Sequence, residues 1–156
     1  MQRILMVCLG NICRSPLAEG ILRQKIGELG ITTIEVDSAG TSDYHTGDAP
    51  DQRSSENALK NGVDIRMLRA RQFTAGDFDR FDRIYVMDAS NYRNVINLAR
   101  DESDHAKVDF ILNVAWPGEN RAVPDPYYGG EQGFEQVFRL LEKACTSIAE
   151  NLQDRS

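Results

Sequence analysis

Cysteine is scarce in this chain: three residues in 156, an odd count that argues against a disulfide framework. Histidine is scarcer. His45 and His105 stand alone, neither spaced against a cysteine or carboxylate as metal ligands are, so no metal site is expected and both rings read as solvated. No apolar run approaches the roughly 20 residues that span a bilayer, so membrane insertion is not expected. Residues 1–7 enter an apolar strand at once, so no targeting segment is expected and, with free thiols, the cytoplasm is the expected location. Basic residues are in deficit, 18 against 24 acidic, for a formal net charge of -6. With a pI of about 4.9, nucleic acid and anionic membrane surfaces are poor partners. Neither a G-x-x-x-x-G-K-[ST] loop nor a G-x-G-x-x-G after a strand occurs, and no cofactor is expected.

What is present suits one domain over residues 1–156, 41% hydrophobic and long enough to bury most of its apolar surface without disulfides or metal. Apolar runs predict strands near 3–8, 33–37, 83–87 and 108–112. Helical periodicity falls near 16–29, 51–61, 90–100 and 131–152, with a short helix over Asp77–Phe81 after Thr74. This alternation predicts an α/β fold: an open four-stranded parallel sheet with helices on both faces, a Rossmann-like or flavodoxin-like three-layer sandwich. The first helix would turn Ala18, Ile21, Leu22, Ile26 and Leu29 inward and stop near Gly30. Cys145 falls on the stripe Phe134, Val137, Phe138, Leu141, Ile148, Leu152 and reads as core. The acidic run Asp101–Asp104 reads as a solvent-facing helix end. In such sheets ligands bind beyond the carboxyl ends of the strands, where Cys8, Ser38, Asp88 and Asp125 all fall; Asp88 reads as a polar support for the loop.

The segment Cys8-Leu9-Gly10-Asn11-Ile12-Cys13-Arg14-Ser15 places a thiol and a guanidinium with five residues between them, on a strand-to-helix loop. Successive N–H groups curled above a helix N-terminus form a concave oxyanion site. Gly10 and Asn11 are residue types that tolerate the left-handed backbone such a curl needs. Arg14 offers a planar fork that grips two phosphoryl oxygens at once. At the floor of this ring Cys8 would be favoured as thiolate, since comparable cysteines fall from about 8.5 to roughly 3.5–7.5. Ser15, beside the arginine, could hydrogen-bond that sulfur and ease its departure from a covalent intermediate.

These residues resemble the signature of the low-molecular-weight protein tyrosine phosphatases, and the resemblance runs nearly end to end. It continues in Asp37-Ser38-Ala39-Gly40-Thr41, Arg69-Ala70-Arg71-Gln72, Val86-Met87-Asp88 with Ser90-Asn91, and Pro124-Asp125-Pro126-Tyr127-Tyr128-Gly129-Gly130. The resemblance implies hydrolysis of phosphotyrosine and small aryl phosphate monoesters through a phosphocysteine on Cys8. Arg14 would bind the phosphate, and Asp125 would act as general acid and then base, a contribution of typically 10²–10⁴-fold. Leu9, Gly10, Asn11, Ile12, Cys13 and Ser15 would line the substrate, with Asn11, Ser15 and Ser38 holding the loop in shape. Tyr44 would wall the aryl slot opposite Tyr127 and Tyr128, with Leu9 beneath the ring. Cys13 would form a reversible disulfide with Cys8. Implied partners are phosphotyrosine proteins, a tyrosine kinase among them, and the tyrosine pair can itself be phosphorylated in the family; the oligomeric state is open. Where some relatives carry a histidine before the Arg69-Ala70-Arg71 segment, this chain has Leu68. Two other chemistries share the loop. Arsenate reduction would need a relay of further cysteines, of which only Cys145 lies downstream, and a phosphotyrosine reader would need neither thiolate nor acid.

Overall fold

A computed structural model describes residues 1–154, apart from the side chains of Tyr128 and Asp154. Four strands form one sheet: β1 (Gln2–Cys8), β2 (Ile34–Gly40), β3 (Arg83–Val86) and β4 (Val108–Phe110), in the order β2-β1-β3-β4. Every pairing is parallel, as the alternation predicted. From β1 the chain crosses to β2 on one side and later returns to β3 on the other. The end of β1 is therefore the topological switch point where doubly wound sheets bind ligands, and Cys8 is its last residue.

Side chains alternate across the strands, so β1 feeds two cores. Ile4, Met6 and Cys8 join α1 (Arg14–Glu28), α2 (Gln52–Lys60) and α6 (Gly130–Asp154) on one face. Leu5 and Val7 join Phe73, Phe78 and Val95 on the other, under α3 (Asp77–Arg80) and α4 (Ala89–Ile96). Covered on both faces, Ile4–Cys8 is a continuous apolar run, as parallel strands are. Burying each Leu, Ile or Phe contributes about 1.5–3 kcal/mol. The α6 stripe is buried throughout, and its Cys145 touches the Ala18 carbonyl at 3.5 Å. Pro16 sits in the first turn of α1, where its missing N–H has no intrahelical partner to lose.

Four boundaries differ from expectation. The second strand runs on to Gly40, because Ser38, Ala39 and Gly40 continue the ladder against Met6, Val7 and Cys8. The fourth stops at Phe110 and tightens into a 3-10 turn, Ile111–Val114. The helix expected over 90–100 is α4, which stops at Ile96, and a separate short helix, α5 (Glu102–Ala106), follows beyond the expected end; an aspartate starts each, Asp88 accepting from Asn91 N–H and Asp101 from Asp104 N–H. Of the acidic run, Asp101, Glu102 and Ser103 are exposed at the start of α5, as read, but Asp104 is only 3% exposed and takes the Arg100 Nε at 2.8 Å. Leu29 is the fourth; lying past the end of α1, it is 40% exposed instead of inward. Among the described residues no helix is long and apolar enough to cross a membrane.

Candidate active site

The loop from Cys8 to Arg14 is turned inside out relative to an ordinary connection. Its carbonyls point away and are taken by neighbours: Thr41 N–H donates to Cys8 O at 2.9 Å, Ser42 N–H to Leu9 O at 3.0 Å and Asp51 N–H to Ile12 O at 2.7 Å. Among the described residues none of the N–H groups from Leu9 to Cys13 donates to a protein acceptor, and α1 starts directly behind them. Uncommitted N–H groups beside a helix N-terminus are suited to an anion. Of the two residues expected to adopt left-handed backbone, only Asn11 does, at φ 56°. At Gly10 a Cβ would press on His45 Cδ2 at 3.1 Å, a side chain that can yield by a few tenths of an ångström. Gly40 matters more: a Cβ on it would lie 2.8 Å from Leu9 O and 3.0 Å from Asn11 N, so the loop closes only against glycine.

Cys8 is 2% exposed, with its Sγ 3.0 Å from Ser15 Oγ. It opens on a cavity of about 610 Å³ shared with Arg14 and Asp125. Leu9, Gly10, Ile12 and Cys13 line the same space. Arg14, 4% exposed, is anchored through Nη1 alone, to Asp88 Oδ2 at 2.8 Å and Val123 O at 2.9 Å. Among the described residues Nε and Nη2 carry no hydrogen bond, so one edge of the fork is held and the other faces the cavity. Burial opposes the Arg14 charge, but the nearness of Cys8, Asp88 and Asp125 outweighs it and holds the guanidinium above its ordinary value. Asp88 thus supports the loop, as expected, by fixing the arginine plane.

Behind the loop Asn11 Nδ2 donates to Ser38 Oγ at 2.9 Å and to Ser15 Oγ at 2.8 Å, while its Oδ1 accepts Arg71 N–H at 3.0 Å. Ser38 in turn donates to Glu19 Oε1 at 2.6 Å. Burial pushes the Glu19 carboxyl up, against the pull of Ser38 and of the Arg23 charge. Leu68 packs against the core and adds no polar atom. Glu19 carried no signal in the sequence, lying among the apolar positions of a helix, and Arg71 appeared only as a matched motif.

The rim was less legible. Tyr44 is 84% exposed and meets His45 edge-on, ring centroids 4.9 Å apart. His45, expected to be solvated, lines the cavity and pairs Nδ1 with Asp48 Oδ2 at 3.0 Å. Arg53, unnoticed in sequence, lies 5.0 Å over both Tyr127 and Phe134 and donates to Tyr127 O at 3.3 Å. Its signal was the Asp51 cap of α2, which accepts Arg53 N–H at 2.8 Å. Asp125 is exposed and accepts Tyr127 N–H at 3.0 Å, capping the 3-10 turn Pro126–Tyr128. The Tyr128 side chain lies outside the described residues. Cys13 and Cys8 are both free thiols. Burial, then the nearness of Cys8, pushes the Cys13 thiol up to about 12, with Ser54 pulling the other way.

Residues 3–156 match the family described as low molecular weight phosphotyrosine protein phosphatase. A Synechocystis protein provisionally named as a low molecular weight protein-tyrosine-phosphatase is 49% identical over 154 residues, spanning 97% of this chain and 96% of its own. The low molecular weight phosphotyrosine protein phosphatase of Schizosaccharomyces pombe is 44% identical over 141 residues, 89% of each chain. A crystal structure of a protein tyrosine phosphatase from Entamoeba histolytica, with Hepes in its active site, superposes with a TM-score of 0.91 at 35% identity over 99% of both chains. With its parallel sheet, cysteine loop and end-to-end likeness to these proteins, the chain belongs to the low molecular weight phosphotyrosine protein phosphatases, hydrolases that act on phosphotyrosine.

Proposed function

We propose that the enzyme hydrolyses phosphotyrosine and small aryl phosphate monoesters in two displacements at phosphorus, with Cys8 as nucleophile. In the first, the Cys8 thiolate forms an S–P bond as the P–O(aryl) bond breaks. Asp125 gives its proton to the departing phenolate oxygen. In the second, the Asp125 carboxylate takes a proton from water, the oxygen attacks phosphorus, and the S–P bond breaks. Inorganic phosphate leaves, and Ser15 receives the returning thiolate with a hydrogen bond. The phosphoryl oxygens lie against the N–H groups of Leu9–Cys13 and the unbound edge of Arg14, donors already oriented before substrate arrives.

The observation that carries this reading is that Cys8, Arg14 and Asp125 line one cavity together with a loop whose five N–H groups are uncommitted. Hepes, which occupies the Entamoeba active site, ends in a sulfonate, a tetrahedral oxyanion like phosphate. Tyr44 and Tyr127 stand at the rim as aromatic walls and Leu9 is the half-exposed floor. Aromatic contacts worth about 0.5–1.5 kcal/mol each would favour aryl over alkyl esters. With its thiol pushed up to about 12, Cys13 stays out of phosphoryl transfer. Its proposed role begins once a peroxide has oxidised Cys8 to a sulfenic acid: the Cys13 sulfur displaces hydroxide from it, water leaves, and a disulfide forms.

The test is rapid-quench mass spectrometry during turnover of p-nitrophenyl phosphate. A phosphoryl group on Cys8 is expected in the wild type, and none in an inert Cys8→Ser variant. Hydrolysis by Cys8→Ser at the wild-type rate would overturn the assignment.

A further inference from the structure

One buried carboxylate has no part in that chemistry. Glu19 lies one turn beyond Ser15 on α1 and is 2% exposed, yet a continuous line of hydrogen bonds connects it to the nucleophile. Glu19 Oε1 accepts from Ser38 Oγ at 2.6 Å, and Ser38 Oγ accepts from Asn11 Nδ2 at 2.9 Å. Asn11 Nδ2 also donates to Ser15 Oγ at 2.8 Å, and Ser15 Oγ lies 3.0 Å from Cys8 Sγ. Each link between two hydroxyls or amides could in principle run either way.

The ends of the line decide its direction. The Ser38 hydroxyl donates to Glu19 Oε1, so its single proton is committed there and Ser38 presents a lone pair to Asn11. At the other side of the amide, Arg71 N–H donates to Asn11 Oδ1 at 3.0 Å. Turning the Asn11 amide over would set N–H against N–H at Arg71 and oxygen against the Ser38 lone pair. Both hydrogens of Nδ2 are thereby assigned, one to Ser38 and one to Ser15. Ser15 Oγ, having accepted, keeps its own proton for Cys8 Sγ or for Ala39 O at 3.4 Å. The latter is long for an O–H···O bond, so the proton turns to sulfur. Arg23 Nη2 approaches Glu19 Oε2 at 2.7 Å but off the hydrogen-bonding direction, its own bond going to Val36 O at 2.8 Å. It balances the charge without displacing Ser38.

We infer that Glu19 is a positioning residue: with the Arg71 amide it fixes which end of Asn11 faces Ser15, so that Ser15 donates to the Cys8 sulfur. The inference rests on Cys8 as nucleophile. Its functional content is that a group with no route to substrate sets how readily sulfur ionises and how readily it leaves phosphorus.

The experiment is a double-mutant cycle read by iodoacetamide alkylation of Cys8 across pH, located by mass spectrometry, and by kcat on p-nitrophenyl phosphate. Removing the Ser15 hydroxyl (Ser15→Ala) should slow Cys8 alkylation near neutrality about tenfold, the scale of a hydrogen bond to a charged group, and raise its pH midpoint. Glu19→Ala should move both in the same direction by roughly threefold, and Glu19→Gln, which keeps an acceptor for Ser38, should restore most of the loss. In the Ser15→Ala background the Glu19→Ala effect should vanish. An undiminished effect there would mean that Glu19 acts by another route, and the inference fails. So would a Gln variant as impaired as Ala, provided both melt cooperatively. If Ser15→Ala leaves alkylation unchanged while Cys8→Ser is inert, the direction of donation is wrong and the nucleophile stands. Turnover by Cys8→Ser sinks the nucleophile instead.

Discussion

The two halves of the site are built in opposite ways. In the cysteine loop Cys8, Asn11, Arg14 and Ser15 are all buried, and the contacts that join them to one another, to Ser38 and to Asp88 are all within 3.0 Å. The Asp125 loop stands at the surface. Its aspartate is exposed and accepts a bond two residues along its own chain, at Tyr127 N–H. The loop is tied inward at Val123, whose N–H donates to Met87 O at 2.7 Å and whose carbonyl takes Arg14 Nη1 at 2.9 Å. The contrast matches the two tasks. Donors that stabilise a developing charge act best when they need not reorganise, whereas a carboxyl that gives a proton in one step and takes one from water in the next must reach solvent.

Substitution on each side should separate those tasks. Asp125→Asn keeps the acceptor for Tyr127 N–H, so the loop and the melting temperature should hold while kcat falls about 10²–10⁴-fold. The loss should be steepest for esters whose phenol is a poor leaving group, and inhibition by inorganic phosphate should be unchanged. An equal loss for p-nitrophenyl and phenyl phosphate would remove Asp125 from the acid role. On the cradle side, Arg14→Lys keeps the charge but loses the fork that binds Asp88 and Val123 along one edge and faces the cavity along the other. Here kcat should fall about 10²–10³-fold, the cost of a lost oxyanion donor, and phosphate inhibition should weaken with it. A lysine variant that loses turnover but binds phosphate normally would dissolve the distinction between the halves.

The same contrast explains what the sequence could and could not reveal. The buried half was legible because burial restricts residue choice: a continuous apolar strand, a thiol, an asparagine able to take φ 56° and an arginine in fixed order leave few alternatives. Chain order says nothing of which residues fold back onto a loop from a distance. Glu19 and Arg71 therefore escaped notice as parts of the site, although both are bonded to it. Gly40 was only one residue of a matched motif, yet its missing Cβ is what admits the loop backbone. At the rim, side chains meet by packing of separate segments, so His45 read as solvated and Arg53 went unnoticed. The helix expected over 90–100 is present but shorter: α4 stops at Ile96, and Asp101, beyond the expected end, caps a separate short helix.

Gly40 supplies a milder way to perturb the cradle. Gly40→Ala drives a Cβ into Leu9 O, Asn11 N and Gly10 C at 2.8 to 3.0 Å, all backbone atoms that cannot rotate away. Overpacking of this kind costs about 1–3 kcal/mol, and displacement of the N–H ring should lower kcat/KM on the order of tenfold. Gly27 on α1 is the control, with nothing within 4 Å of its would-be Cβ. Gly27→Ala should raise the melting temperature by the helix preference of alanine, up to about 1 kcal/mol. If both alanines act alike, the close approach at Gly40 has no consequence.

The smallest effect lies inside the cradle, between its two thiols. Cys13 lines the same cavity as Cys8, but burial and the nearby negative groups push its thiol up to about 12. At pH 8 it would then be ionised to about one part in 10⁴, and thiolate is the species that alkylates. The buried Cys145 is likewise pushed up to about 12, by burial. Limited iodoacetamide between pH 6 and 9 should therefore place a single label per chain, on Cys8, and inorganic phosphate should slow it by occupying the cradle. Labelling of Cys13 should rise only as pH climbs toward its own value, since ionisation increases with pH for a thiol. Equal labelling of the two at pH 7 would show that the loop does not distinguish the thiol aimed into the N–H ring from the one turned toward Ser54, and the preorganisation argued for the buried half would fail at its centre.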